Sequence, residues 1–155
     1  MAQNILGTTL VIASHDWEWL YDICEHVVHL FRGRFFGAGR QNFIFGHWSE
    51  PTSGKWVKEI QDGQALEVPC PTSDDAIAII NPEKMLPATN KKTCNIEGIV
   101  TRLVLEKHTQ EIIIIVQAAN QAITAKLSPE NAREHALYPG QKIRLSYLPE
   151  DIIWY

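Results

Sequence analysis

From residue 40 onward, short runs of apolar and β-branched residues alternate with turn residues, and this pattern limits the possible folds more than any other feature. The runs at 56–60 and 64–68 flank Gln61-Asp62-Gly63, and Asp-Gly between two such runs is a strong β-hairpin signal. After a polar loop at 69–75, another short run occupies residues 76–80. Short strands at this spacing predict antiparallel β structure for most of the chain.

The strands predicted beyond residue 95 are longer. They cover residues 96–105, 111–117, 121–127, 142–148 and 151–154. Asn120 suits a left-handed turn position between two of them. Ser128 can cap a short helix that begins at Pro129, because proline is well tolerated at the first helical position. Several short antiparallel strands with one short helix predict a mainly β fold with a small antiparallel OB-like barrel.

The first 39 residues follow a different pattern, which predicts an α/β segment. Residues 8–13 are apolar on both alternating faces, as expected of a strand that is covered on both sides in a parallel sheet. Ser14 or Asp16 can cap the helix that follows. A second strand is predicted at 27–31, and Arg32-Gly33-Arg34 would turn it into a hairpin.

The composition excludes several functional classes. The chain has 155 residues, a formal net charge of −4 and no stripe of basic residues, so we expect no nucleic-acid partner. Its three cysteines lack CxxC spacing, which favours reduced thiols over disulfides or a metal site. The apolar run at 10–13 is too short to cross a membrane. These features predict a cytoplasmic protein.

The order of elements in residues 8–39 resembles the C-terminal end of the ATPase core in ATP-binding subunits of ABC transporters. The matching segments are Ser14-His15-Asp16, the helix after it, and Val27-Val28-His29-Leu30-Phe31-Arg32-Gly33-Arg34. The resemblance implies that His15 is the catalytic switch histidine, which contacts the terminal phosphate of ATP. From the residues alone, the alternative is that His15 only closes a strand.

The phosphate-binding parts of such an ATPase are absent from the sequence. It contains no Walker A, signature or Walker B motif, and Gly54-Lys55 is assigned to a turn because no Ser or Thr follows the lysine. Phosphoryl transfer depends on the phosphate-loop lysine and Mg²⁺, so we expect this chain alone to have no ATPase activity and no cofactor. The resemblance implies that ATP and Mg²⁺ act in a complete parent subunit, which joins a membrane permease subunit at the inner membrane.

Residues 90–155 resemble the TOBE or Mop-type module of molybdate and tungstate importers. The matching segments are Asn95-Ile96-Glu97-Gly98-Ile99-Val100, Ala125-Lys126-Leu127-Ser128-Pro129-Glu130-Asn131, Tyr138-Pro139-Gly140-Gln141-Lys142-Ile143 and Pro149-Glu150-Asp151-Ile152. The resemblance implies homodimers that bind tetrahedral oxyanions, molybdate or tungstate, through backbone amides and hydroxyl groups. Carried over by position, the oxyanion site consists of Thr93, Cys94, Asn95, Ser128 and Asn131.

The sequence departs from the Mop-type pattern at the site itself. Tyr147-Leu148-Pro149 stands where such a module carries a lysine, and Cys94 and Asn131 stand where small hydroxyl residues are expected. Lys91 or Lys92 would supply positive charge, or they are solvated linker residues. Ser128 would contact the anion or serve only as a helix cap.

The sequence predicts three parts: an ATPase-core remnant at 1–39, a β-rich connecting segment at 40–90 and the TOBE/Mop-like barrel at 91–155. The strand at 112–116 carries large β-branched residues on both faces, although a small barrel has only one interior. We expect a second copy of the chain to cover the outer face in a homodimer. The alternative is that the middle β segment of the same chain covers it.

Three hypotheses for the function follow. The leading hypothesis is the C-terminal regulatory and dimerisation portion of the ATP-binding subunit of an ABC importer for an oxyanion such as molybdate or tungstate. The second is a free oxyanion-storage protein, and the third is a purely structural dimerisation module. Residues 1–39 favour the first, since storage requires no switch histidine.

Overall fold

The computed structural model describes residues 9–60, 63–88, 94–106 and 109–155. Contacts divide the chain into two units, Met1–Gly39 and Arg40–Tyr155. The identification of the first unit as an ATPase remnant stays a prediction, as does the finer division at residue 90.

In its described residues, 9–39, the first unit contains one helix and one hairpin. Helix α1 spans Trp17–Ile23, and the side chain of Asp16 caps it by accepting a hydrogen bond from the backbone N–H of Trp19 at 3.1 Å, as predicted. Strands β1 (Val28–Phe31) and β2 (Arg34–Ala38) pair antiparallel. The turn between them places Arg32 and Gly33 at φ 47° and 77°, two positive angles that match the right-handed twist of a hairpin.

The strand predicted at 8–13 does not form in the described residues. Residues 9–13 adopt no regular structure, and Leu10 and Val11 are 64% and 87% exposed. A parallel strand needs neighbouring strands for its backbone and packed layers for both faces. Among residues 9–39, the sheet is the two-stranded pair of β1 and β2, and residues 9–13 pair with neither strand.

The second unit is built from three antiparallel sheets. Its strands are β3 (Asn42–Ile44), β4 (Ser49–Thr52), β5 (Lys55–Ile60), β6 (Gln64–Val68), β7 (Ala78–Ile80), β8 (Leu86–Pro87), β9 (Cys94–Leu105), β10 (Ile112–Ala118), β11 (Gln121–Leu127), β12 (Lys142–Tyr147) and β13 (Ile152–Trp154). The sheet orders are β11-β10-β9-β12-β8, β13-β7-β3 and β4-β5-β6. The largest sheet curls into a half-barrel, which confirms the predicted mainly β, OB-like fold.

Short helical segments lie between some of these strands. Helix α2 spans Pro129–Glu134, and 3₁₀ turns span Pro82–Lys84 and Pro149–Asp151. The strand after each 3₁₀ turn pairs with the strand before the other one: β8 with β12, and β13 with β7. This exchange joins the 40–88 and 94–155 segments by backbone hydrogen bonds.

A single apolar core holds the second unit together. Its fully buried members include Leu66, Ile80 and Met85 from the earlier segment, and Ile96, Ile114 and Leu145 from the later one. The buried apolar area is therefore shared, and burial of such area is the main favourable contribution to folding. Neither segment encloses this core by itself.

The two faces of β10 bear on the predicted dimer contact. Ile114 and Val116 face the core, while Ile113 lies on the opposite face and is still only 1% exposed. The single chain therefore covers this part of the outer face, which favours the alternative of intrachain cover. The homodimer itself stays a prediction.

The turn between β10 and β11 differs from the prediction for Asn120. The left-handed position is occupied by Ala119, at φ 50°, and not by Asn120. The register explains this: Ala118 pairs with Gln121, which leaves a two-residue turn with the positive angle at its first position. The twist of the flanking strands, rather than the local preference of Asn120, decides the conformation.

Candidate functional site

His15 lies in a bend directly before the helix cap and is exposed. The strand that would place this imidazole at the carboxyl end of a sheet is not formed in residues 9–13. The role of His15 as a switch histidine stays a prediction.

A different histidine, His29 on β1, is buried in the first unit. It is 7% exposed, its Nε2 lies 2.6 Å from the hydroxyl of Tyr21 and 3.1 Å from the carbonyl of Gly39, and the Trp17 ring packs edge-on at 5.0 Å. Burial lowers the pKa of His29, although the hydrogen bond to Gly39 opposes this. Sequence reasoning treated His29 only as part of a strand, because its contacts come from residues 8 and 10 positions away.

Of the five predicted oxyanion-binding residues, Thr93 lies outside the described residues. Cys94 and Asn95 begin β9, where they pair with Tyr147 and Ser146 of β12. Both are partly buried. The strand thus begins two residues earlier than the predicted 96–105 and includes this pair, whose role in oxyanion binding stays a prediction.

Charged side chains from β5, β6 and the second 3₁₀ turn act on the Cys94 thiol: Lys55, Glu67 and Glu150 are near enough to influence it electrostatically. Burial raises the pKa of Cys94, and the negative charge of Glu67 raises it further. The hydroxyl of Tyr147 donates to the backbone carbonyl of Glu67 at 3.0 Å, which ties β12 to β6. Cys94 is thus a protonated thiol with an acidic neighbour, a feature that sequence reasoning missed because Glu67 is 27 residues away.

Ser128 and Asn131 lie together at the start of α2. The Ser128 Oγ accepts a hydrogen bond from the backbone N–H of Asn131 at 3.2 Å, so Ser128 is the helix cap. Both residues are exposed, and Ser128 borders a shallow surface depression whose lining also includes Arg133 and two glutamates. The capping hydroxyl can still donate its own hydrogen to a ligand.

The two pairs of predicted site residues lie at opposite ends of β9. Ser128 follows Leu127, which is aligned through Ile112 with Leu105 at the far end of β9. Cys94 begins the same strand of 12 residues, so the path along it is roughly 35 Å. The structure therefore brings together Cys94 with Asn95, and Ser128 with Asn131, but it does not join the two pairs along the sheet.

Lys126, two residues before Ser128, is committed to carboxylates. Its Nζ lies 2.6 Å from Glu111, 3.3 Å from Glu106 and 3.4 Å from Glu83. Burial alone would lower the pKa of Lys126, but the hydrogen bond to Glu111 and the charge of Glu106 raise it to about 12.

The pKa of Glu106 shifts in the opposite direction. It is lowered, first by the hydrogen bond from Thr109 and then by the charge of Lys126, against an opposing effect of burial. The Lys126 cluster therefore fastens turns of the fold and leaves its cation little capacity to bind an anion.

Two further features, a metal site and a membrane-spanning helix, are not present in the described ranges. No group of three or more His, Cys, Asp or Glu side chains there is arranged to hold a metal ion. In the same part of the chain, no helix has the length and apolar character needed to cross a bilayer.

No protein-family model matches the sequence, and no curated protein matches it either. Among solved structures, the chain is similar to the cytoplasmic molybdate-binding protein ModG, in a crystal form with molybdate bound. The TM-score is 0.54 at 12% sequence identity, and the match covers 74% of this chain and 94% of the ModG chain. At this identity, the similarity establishes a shared fold.

Proposed function

We propose that residues 40–155 form an oxyanion-binding accessory module that regulates and dimerises the ATP-binding subunit of an ABC importer. The ligand would be a tetrahedral oxyanion such as molybdate or tungstate. The observation that carries the proposal is the fold shared with ModG, a molybdate-binding protein of which 94% is matched. The sequence resemblance of residues 8–39 to an ATPase core supports the importer assignment.

A dimer would also bring together the two separated pairs of candidate residues. Within one chain, the register places Cys94 and Asn95 at one end of β9 and Ser128 and Asn131 beyond the other end, so strand pairing does not bring the two pairs together. Two copies packed so that one contributes each pair would complete a site. Neutral donors suit such a site, because oriented N–H and O–H groups can satisfy an anion without a full countercharge.

Calorimetric titration of the purified chain with molybdate, tungstate, sulfate and phosphate tests the proposal. We expect saturable binding of at least one anion, and we expect Ser128→Ala to weaken it. Ser49→Ala removes a hydroxyl from an exposed position on β4 and is the matched control. The absence of binding for all four anions would overturn the proposal and leave the structural dimerisation module.

A free oxyanion-storage protein is the second candidate, because ModG, whose chain is matched almost entirely, is a cytoplasmic molybdate-binding protein. The two candidates differ in what binding must do. A regulatory module works only if the ligand prefers one state of association, whereas storage requires no such preference. Sedimentation velocity with and without the bound anion separates them: an anion-dependent association constant favours regulation, and an unchanged one favours storage.

A further inference from the structure

The first unit leaves much of its apolar surface in contact with water. Of the sixteen large apolar side chains that are exposed in the described residues, eight belong to residues 9–39, although the second unit is much the longer. Exposed apolar surface that is concentrated in this way marks an interaction site. Six of the eight form what we call the open face: Leu10, Val11, Ile23, Val28, Leu30 and Phe35.

The open face is concave at one end. Its first four members line a groove of about 530 Å³ that lies between residues 9–12 and helix α1. Val28 continues the surface onto β1, where Val28 and Leu30 are both exposed on either side of a buried residue. Leu30 pairs with Phe35 of β2, so the apolar surface extends across the hairpin. Large side chains of a partner can therefore enter the groove and also contact the hairpin.

The groove lies in the acidic part of this unit. Residues 9–31 contain no lysine or arginine. Arg32 and Arg34 stand at the hairpin turn, at the other end of the unit's sequence from the groove. Glu25 lines the groove itself. The four carboxylates of residues 9–31 are all exposed: Asp16, Glu18, Asp22 and Glu25.

Helix α1 arranges acidic and apolar side chains in neighbouring stripes. Glu18 and Asp22 are four residues apart and lie on one side of the helix. Trp19 and Ile23 have the same spacing, are exposed, and lie on the adjacent side. An apolar stripe beside an acidic one is complementary to a helix that carries apolar side chains next to lysine or arginine.

We propose that the open face is a docking surface for a cationic amphipathic helix of a partner protein. The apolar side chains of that helix fill the groove, and its lysine or arginine side chains face the carboxylates of α1 and Glu25. The same carboxylates repel an anionic lipid surface, and a second copy of this unit would bring like charges together. The proposal concerns the first unit and does not depend on oxyanion binding.

The test measures the fluorescence anisotropy of a labelled helical peptide of leucine and lysine, titrated with the full-length chain. We expect saturable binding of this peptide and about tenfold weaker binding of a twin peptide in which glutamate replaces every lysine. The triple variant Glu18→Gln/Asp22→Asn/Glu25→Gln should bind the lysine peptide about tenfold more weakly. The matched control, Glu59→Gln/Glu130→Gln/Glu134→Gln, removes the same charge from exposed positions of the second unit and should bind like wild type.

A second pair of variants tests the apolar part of the surface. Ile23→Gln/Val28→Thr should bind the lysine peptide about tenfold more weakly. Both side chains are exposed, so the variant should fold, as circular dichroism and a thermal melt would verify. Leu148→Gln/Ile153→Thr makes the corresponding changes at exposed positions of the second unit and should leave the affinity unchanged.

Several results would overturn the proposal. These are a failure of the lysine peptide to bind, equal binding of the two peptides, and equal losses in the first-unit variants and their controls. Binding to phosphatidylserine vesicles instead of the peptide would identify a lipid surface as the occupant. Self-association that Ile23→Gln/Val28→Thr abolishes would identify a second copy. In each case calorimetric binding of an oxyanion would remain a separate result, so the proposed function would stand or fall by itself.

Discussion

Gly98, in the β9 segment that resembles TOBE modules, is where a single methyl group is expected to disturb the half-barrel. It is buried, and a Cβ added there would lie 2.6 Å from the backbone oxygen of Gln117 and 2.6 Å from the Cγ1 of Val116. Both neighbours belong to β10, the strand paired with β9. Gly98→Ala would therefore force the two central strands apart.

The magnitude follows from what must move. The backbone oxygen of Gln117 cannot shift without distorting the pairing of β10, and overpacking of this kind costs about 1–3 kcal/mol. Alanine restricts the unfolded chain and returns about 0.4–1 kcal/mol of that. We expect a net loss of about 1–2 kcal/mol, which for a chain of this size lowers Tm by about 2–8 °C.

Urea denaturation followed by tryptophan fluorescence is the assay, since Trp48, Trp56 and Trp154 pack against the core of this unit. Gly54→Ala is the control: Gly54 has φ +78° and nothing within 4 Å of an added Cβ, so its cost is purely conformational.

The Gly98→Ala and Gly54→Ala variants should differ in their energetic coupling to Val116→Ala. Removing the Val116 Cγ1 relieves part of the clash at Gly98. The Gly98→Ala/Val116→Ala double variant should therefore lose less free energy of unfolding than the sum of the two single losses. For Gly54→Ala and Val116→Ala, the two losses should simply add. Wild-type stability of Gly98→Ala, or strict additivity with Val116→Ala, would refute the steric argument.

Three further predictions concern side chains of the second unit. Asn42 is 4% exposed, and its amide donates to the Thr124 carbonyl at 2.8 Å and accepts from the Thr124 N–H at 2.7 Å. Asn42→Ala should therefore cost about 2–4 kcal/mol in urea denaturation, because it leaves both backbone groups unpaired, whereas the exposed Asn120→Ala should cost little. Ala119→Gly should raise stability by about 0.5–1 kcal/mol, since the strain at φ 50° exceeds the entropy that glycine loses, and a lower Tm would contradict this. Finally, the lowered pKa of Glu106 means that its stabilisation is complete above its ordinary pKa of 4.5 and is lost as pH falls below that value. Thermal melts between pH 6 and pH 3 should therefore show a falling Tm, and Glu106→Gln should flatten the fall.

Hairpins and caps were the part of the fold that could be predicted, because their signals are local. Asp-Gly between two apolar runs predicted the pairing of β5 with β6, and Arg32-Gly33 predicted the turn between β1 and β2. Ser128 followed by proline predicted the cap of α2. Each of these elements depends on residues within a few positions of one another.

The predictions from sequence were wrong or incomplete where the conformation or contacts of a residue depend on residues far along the chain. Residues 9–13 have the composition of a buried strand, but a strand forms only where other strands accept its hydrogen bonds. Spacing predicts neither the closeness of Glu67 to Cys94 nor the position of Ser128 beyond the opposite end of β9, because both depend on strand register. The cover over Ile113 likewise comes from elsewhere in the chain.

The class of the fold and several turns follow from the amino-acid sequence alone, because alternation, glycine positions and helix caps act over a few residues. Three features depend on long-range packing: the exchange of β8 and β13 between the two segments, the closeness of Glu67 to Cys94, and the position of Ser128 beyond the opposite end of β9. These are contacts across tens of residues, set by the pairing of strands and the shared core. Their energy comes from burial and charge at short range in space, which no local pattern encodes.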